Sequence, residues 1–466
     1  MALNVIWPLI TFPYISRVLQ VDGLGKYNYA SSIVSYFALI AALGISTYAM
    51  REGAARRNDR EELDKFCSQV FTINMLSTIL AYALLGCLLA TGWLSDYTAL
   101  ILVFSISIFF TTLGTGWVFS IFEDYVYITI RSIIFRVISI FLMFLLVKQP
   151  EDLIIYAGIT VFATVGTNIV NFICARRYCR IRLVRKMEFK THIMPILILF
   201  ASAVASTIYV SSDITILGIL KTDYEVGIYS VSARIYSLVK YILAAVLVVS
   251  APRLSMYKAH EKIAEFRALL TKLFDAVTAL VLPAATGLFL LSEEIVILIS
   301  GQSYVEAASS LRLLSIALIF SQYAWLFNQN ILVPAKKERI MLVAAVTSAA
   351  VNVAANLILI PRWSENAAAF TTIISEIIMM VIGMWYGLKI TKFDKGRGKN
   401  IASSLLGCAA IVVICMIAKT FLTANVSIII CGIVFSVVAY AAILLALRNS
   451  FALQLTDNFR NRIRKS

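Results

Sequence analysis

Fourteen apolar stretches, each close to the length of a membrane-crossing helix, follow one another along this chain with short polar breaks between them. The hydrocarbon core of a bilayer is about 30 Å thick, and a helix of roughly 20 apolar residues spans it. The expected spans are 1–19, 25–50, 68–92, 98–119, 126–147, 152–175, 193–219, 227–250, 271–292, 307–333, 340–360, 366–389, 400–422 and 426–447. In lipid every backbone polar group must be bonded within the protein, which leaves only helices and closed barrels. The runs are continuous and do not alternate, so they predict an all-α integral membrane protein. With 60% hydrophobic and 14% charged residues, the chain lacks the charge that the surface of a soluble domain needs. The first span begins at Met1 without a basic leader or a small-residue cleavage site, and it reads as a retained helix.

The net charge of +15 is not spread evenly. Segment 51–65 carries Arg51, Arg56, Arg57, Arg60 and Lys65, and 176–190 carries seven cations from Arg176 to Lys190. Further basic stretches are 253–272, 336–339, 389–399 and the tail RNRIRKS, whereas the intervening loops TGWLSDY, KQPED and KTDYE are short and carry no cationic excess. Basic loops mark the cytoplasmic side, so both termini are expected there, in agreement with an even number of spans. The cations therefore report topology and contact with anionic lipid, and nucleic acid is not an expected partner. The seven cysteines lack metal-ligand spacing, and neither a disulfide nor a metal site is expected. Neither GxxxxGK[ST] nor GxSxG occurs, so an ATPase-driven pump is not expected; with neither a sizeable outer loop nor a histidine/acid set, an enzyme is not expected either, and no catalytic residue is assigned.

One phrase is written twice. GKYNYASSI at 25–33 and GIYSVSARI at 227–235 each open a span just after an outer loop with an aspartate, Asp22 or Asp223. Span 2 thus corresponds to span 8, and the chain is expected to hold two parallel six-helix bundles, 1–175 and 193–389. A basic linker at 176–192 would join them, and 390–466 would add two helices and a basic tail.

Several charges fall inside the spans. Arg136 lies near the middle of span 5, Arg234 and Lys240 flank the middle of span 8, and Glu376 is near the middle of span 12. Asp213 and Arg17 sit towards the outer ends of spans 7 and 1. A central charge costs about 2.5–3.5 kcal/mol to insert, so the four central groups are expected to face protein or water. Arg234 and Lys240 would point roughly 120° apart on a helix, which suits one broad cavity. A structural reading stands beside this one: Glu376 pairs with a cation, Arg17 snorkels, and Asp213 bonds a neighbouring helix. Three central cations against one carboxylate favour an anionic guest, and guanidinium and ammonium groups suit a phosphate or diphosphate. Asn352 and Asn356, and the cluster Gln322, Asn328, Gln329 and Asn330, are expected first as bonds between helices and second as cavity lining.

The stretches PLITFPYISRVLQVDGLGKYNYASSIVSYFALIAALGISTYAMRE, GWVFSIFEDYVYITIRSII, IYVSSDITILGILKTDYEVGIYSVSARIYSLV and NVAANLILIPRWSENAAAFTTIISEI carry a family likeness. The chain resembles the Wzx-type polysaccharide-repeat flippases of the multidrug/oligosaccharidyl-lipid/polysaccharide exporter superfamily. The resemblance implies a cavity that opens alternately to the two sides of a bacterial or archaeal cytoplasmic membrane. It implies as cargo an undecaprenyl-diphosphate-linked oligosaccharide, flipped outward for O-antigen, capsule or exopolysaccharide assembly, with other assembly proteins as partners. It also implies a cationic cavity, which fits Arg136, Arg234 and Lys240, and by motif it adds Arg17 in ISRVL, Asp213 in SSDITILG and Glu376 in ISEI. Asp213 and Glu376 are candidates for ion coupling or structural pairing, with no cofactor beyond an H+ or Na+ gradient or the membrane potential. The alternatives are a drug or metabolite antiporter of the same superfamily, a lipid II flippase, and a membrane-embedded polysaccharide polymerase or ligase. Two departures stand out: no polar segment precedes span 1, which leaves a start codon upstream of Met1 open, and SENAAA replaces a glycine-bearing turn before span 12.

Overall fold

The structure, a computed structural model, describes residues 2–185, 188–393, 397–454 and 456. Lys186 and the tail RNRIRKS lie outside the described residues. The helices in chain order are α1 (Ala2–Ala42), α2 (Ile45–Arg56), α3 (Arg60–Ala90), α4 (Thr98–Leu113), α5 (Trp117–Ile121), α6 (Tyr125–Leu146), α7 (Leu153–Ala175) and α8 (Phe189–Leu220). They continue with α9 (Asp223–Ala259), α10 (Ile263–Leu290), α11 (Ser292–Ser300), α12 (Ala307–Phe327), α13 (Glu338–Ile390), α14 (Arg397–Phe421) and α15 (Asn425–Ala446). No strand occurs among the described residues. Among the described residues eleven helices are long and apolar enough to cross a membrane, so the chain is a multi-pass, all-α membrane protein.

Two of these long helices each hold two expected spans. α1 breaks at Gln20 (φ 59°) and α13 at Ser364 (φ 47°). Ser364 therefore takes the left-handed turn that glycine occupies most cheaply, which shows how SENAAA does without one. Pro361 lies just before that break, and its freed carbonyl accepts a hydrogen bond from Lys221 Nζ at 3.1 Å. The starts of α3 and α9 are capped by side chains. Asp59 accepts the amides of Glu61 and Glu62, both at 3.0 Å, at the head of α3, and Thr222 and Glu225 form a capping box on α9.

By packing, the chain divides into two compact units, Val18–Gly218 and Met1–Arg17 with Ile219–Ser466. This partition differs from the expected bundles. The start of α1 belongs with the later unit because Tyr304 Oη donates to Ser16 O at 2.8 Å and Arg17 Nη2 to Leu298 O at 2.6 Å. α8 belongs with the earlier unit, where Gly218 lies against the ring of Tyr29 and Gly44 against the backbone of Leu199 and Phe200.

In Val18–Gly218 the basic stretch after α7 is laid along α3. The amides of Arg180, Arg182 and Val184 donate to Asp64 Oδ1 (2.7 Å), Ser68 Oγ (3.2 Å) and Thr72 Oγ1 (3.1 Å). Every second residue of an extended chain advances about 6.6 Å and every fourth residue of a helix about 6 Å, so the two rows stay in register. Nearby, Lys65 Nζ lies 2.7 Å from Glu188 Oε1, and that hydrogen bond holds the Glu188 carboxyl below the usual carboxylate range. In the other unit α14 and α15 pack on α10, where Tyr440 Oη donates to Ala279 O at 2.9 Å.

The duplicated phrase behaves alike in both units. Tyr27 Oη meets Thr160 Oγ1 of α7 at 3.3 Å, and Tyr229 Oη meets Thr372 Oγ1 of α13 at 3.4 Å. Each first tyrosine of the phrase thus ties its helix to the span four further along the chain.

Candidate functional site

α9 carries two of the predicted cations, Arg234 and Lys240. Arg234 lies eleven residues into the helix, about 16 Å from its start, and Lys240 almost two turns further on. The structure gives them different surroundings. Lys240 Nζ lies 2.5 Å from Glu376 Oε1 of α13, and the same oxygen accepts from Tyr236 Oη at 3.0 Å. The Glu376 side chain is 4% exposed and that of Lys240 19%. Gln322 of α12 donates to the Lys240 carbonyl at 3.0 Å, so three helices hold the pair. A charge this deep is tolerated when its counter-charge and hydrogen bonds are in place.

Arg234 is exposed, and among the described residues its guanidinium meets the Phe12 ring, 5.8 Å from the centroid, and no carboxylate. A ring face weakly satisfies a cation and leaves its N–H donors free for an anion. Arg17 is exposed as well, but it bonds the Leu298 carbonyl close to Gly301, whose φ of 97° turns the chain there.

The other two predicted residues belong to Val18–Gly218. Arg136 is half-buried on α6, and Asp213 is buried on α8 two residues before Thr215, which bonds Tyr36 Oη at 3.0 Å and Ser32 Oγ at 3.1 Å. Of the six residues, the structure joins Lys240 and Glu376 directly.

Sequence reasoning passed over Arg131 and His192. Arg131 is buried near the start of α6, its guanidinium carbon 5.3 Å and 5.8 Å from the rings of Tyr127 and Phe119. The available signal was an aromatic residue one turn before an arginine. His192 is buried between Tyr48 Oη at 2.7 Å and Gln69 Oε1 at 2.6 Å, partners far away in sequence. The polar residues of the later unit bond between helices: Asn328 donates to Met379 O at 3.1 Å, Asn330 to Leu247 O at 2.9 Å, and Thr371 to Asn356 Oδ1 at 2.6 Å.

The later unit also holds an apolar cavity of about 380 Å³ between α9, α10, α11, α14 and α15. Leu280, Leu288, Ile411 and Val437 are among its walls, and Gly287 and Gly432 widen it by lacking side chains.

The family of polysaccharide biosynthesis proteins matches residues 2–258, more than half of the chain. A candidate O-antigen transporter of Shigella dysenteriae is 22% identical over 351 residues, covering 72% of this chain and 85% of the relative. Among solved structures, the lipid II flippase MurJ in an inward closed conformation superimposes with a TM-score of 0.76 at 16% identity, over 98% of both chains. An inward-facing multidrug resistance MATE transporter of the MOP superfamily gives a TM-score of 0.57 at 12% identity, over 83% of this chain and 97% of its own. The repeated phrase, the broken membrane helices and the buried charges thus sit on a fold shared with these two solved structures, and the chain belongs to the polysaccharide biosynthesis protein family.

Proposed function

We propose that the protein flips an undecaprenyl-diphosphate-linked oligosaccharide from the inner to the outer leaflet of the cytoplasmic membrane by alternating access. The product would serve O-antigen, capsule or exopolysaccharide assembly. The observation that carries this reading is Arg234: a cation three turns into a membrane helix, exposed, with an aromatic face and no carboxylate among the described residues. Such a group suits a diphosphate, whose oxygens take guanidinium N–H donors in pairs. Support comes from the family, from the O-antigen relative and from the flippase fold. The apolar cavity beside α14 and α15 suits part of a prenyl chain.

In this reading Lys240 is oriented by Glu376, and Arg17 is a secondary contact for the anion. An inside-negative potential favours outward movement of the anionic headgroup by about 2.3 kcal/mol per charge per 100 mV. Proton or sodium coupling through Glu376 or Asp213 is the proposed resetting step.

The test is deletion of the gene in its host, with wild type, Arg234→Ala and Arg234→Lys restored at matched membrane levels. Deletion is expected to strip surface polysaccharide and leave lipid-linked repeats on the cytoplasmic side. Charge-assisted hydrogen bonds contribute about 1.5–3 kcal/mol, so Arg234→Ala is expected to lower export roughly ten- to hundredfold, with Arg234→Lys in between. Normal surface glycan in the deletion strain would overturn the reading.

A further inference from the structure

Val18–Gly218 contains a cavity of about 360 Å³ whose lining includes no charged residue. Ser46, Thr47, Ser107, Thr111, Ser120 and Asn168 give it walls of hydroxyls and amide. Two interrupted helices meet there. α1 gives way to α2 at Leu43 (φ 46°) and Gly44 (φ 72°), and α4 gives way to α5 around Thr115 (φ 42°). Backbone loosened at membrane depth is stable where protein covers it or where it lines a polar cavity. Here α3 recaptures part of it: the carbonyl of Ala41 accepts Asn74 Nδ2 at 2.7 Å and Ser77 Oγ at 2.6 Å.

Three details suit the cavity to a ligand. Gly114 lacks the Cβ that would stand 2.2 Å from Asn168 Oδ1, so the amide fits against the break. Trp117, also in the lining, has a buried indole N–H with no acceptor among the described residues. An unmet buried donor costs roughly 1–3 kcal/mol, which a ligand oxygen would relieve. At the 202-residue offset of the duplicated phrase, Lys240 corresponds to Ala38, which lines the cavity. Where the later copy carries a long cation, this one is short and neutral.

We infer that this cavity is a saccharide subsite that takes an uncharged, hydroxyl-rich sugar of the lipid-linked cargo. The assignment rests on the flippase reading and names the class of sugar it takes. Hydroxyls and amides both donate and accept, as sugar hydroxyls do. A carboxylate-bearing sugar would lose its water here without gaining a counter-charge. The volume lies within the range of small-molecule pockets.

The experiment measures binding to the purified full-length protein with two probes: the lipid-linked repeat extracted from the deletion strain, and undecaprenyl diphosphate without sugar. Asn168→Ala and Trp117→Phe are compared with wild type, the second keeping a ring while removing the N–H. The expected result is roughly tenfold weaker binding of the glycolipid by each variant, with bare diphosphate binding unchanged and the melting temperature not lowered. Equal losses for both probes, or no loss in either variant, would overturn the subsite and leave the flippase reading intact. Wild type that binds neither probe overturns both.

Discussion

Lys240 and Glu376 show what a buried pair implies for substitution. Removing one member leaves the other uncompensated and costs about 3–5 kcal/mol, whereas replacing both by apolar groups of similar volume is often neutral or better. Glu376→Gln and Lys240→Met are therefore expected to lower the melting temperature of the purified protein markedly, and Lys240→Met with Glu376→Met to restore most of it. A double variant no more stable than either single one would refute a pairwise role. The pair also marks the limit of what single residues disclosed. Both were visible as charges inside apolar runs, because a bilayer makes any such charge conspicuous. That Glu376 pairs with a cation was legible too; that the cation is Lys240, 136 residues away, was not. Arg234 was equally visible, but its stacking on Phe12 depends on the start of α1 joining the later unit.

Helices were the most legible level, since continuous apolar runs leave little choice of secondary structure. The breaks at Gln20 and Ser364 coincide with polar gaps between expected spans. Those at Leu43–Gly44 and Thr115 fall inside expected spans 25–50 and 98–119, where hydropathy continues straight through a backbone turn. Close helix crossings were equally hidden. A Cβ on Gly218 would stand 2.1 Å from Cδ2 of the buried Tyr29, so Gly218→Ala is expected to destabilise Val18–Gly218 by about 1–3 kcal/mol. Gly86 of α3 has nothing within 4 Å of such an atom, and Gly86→Ala should leave the melting temperature unchanged or slightly raised. Comparable losses from both substitutions would contradict the packing described.

For the molecule as a whole, the basic loops predict sidedness. A reporter fused after Arg57 is expected to read as cytoplasmic and one fused after Lys148 as external; the opposite pattern would refute the assigned orientation. The duplicated phrase was legible in the sequence, and its first tyrosines make matching bonds, Tyr27–Thr160 and Tyr229–Thr372. The sequence could not show that the first residues of α1 leave their neighbours to pack with residues beyond 219, because no local pattern encodes so distant a contact. That contact bears on biogenesis. Arg17 and its acceptor Leu298 are 281 residues apart, and at about 5–20 residues per second a ribosome needs about 15–60 s to make the second after the first. For that interval the leading segment depends on lipid or on the insertion machinery. Nascent chains halted before residue 298 should therefore hold it less firmly than finished ones.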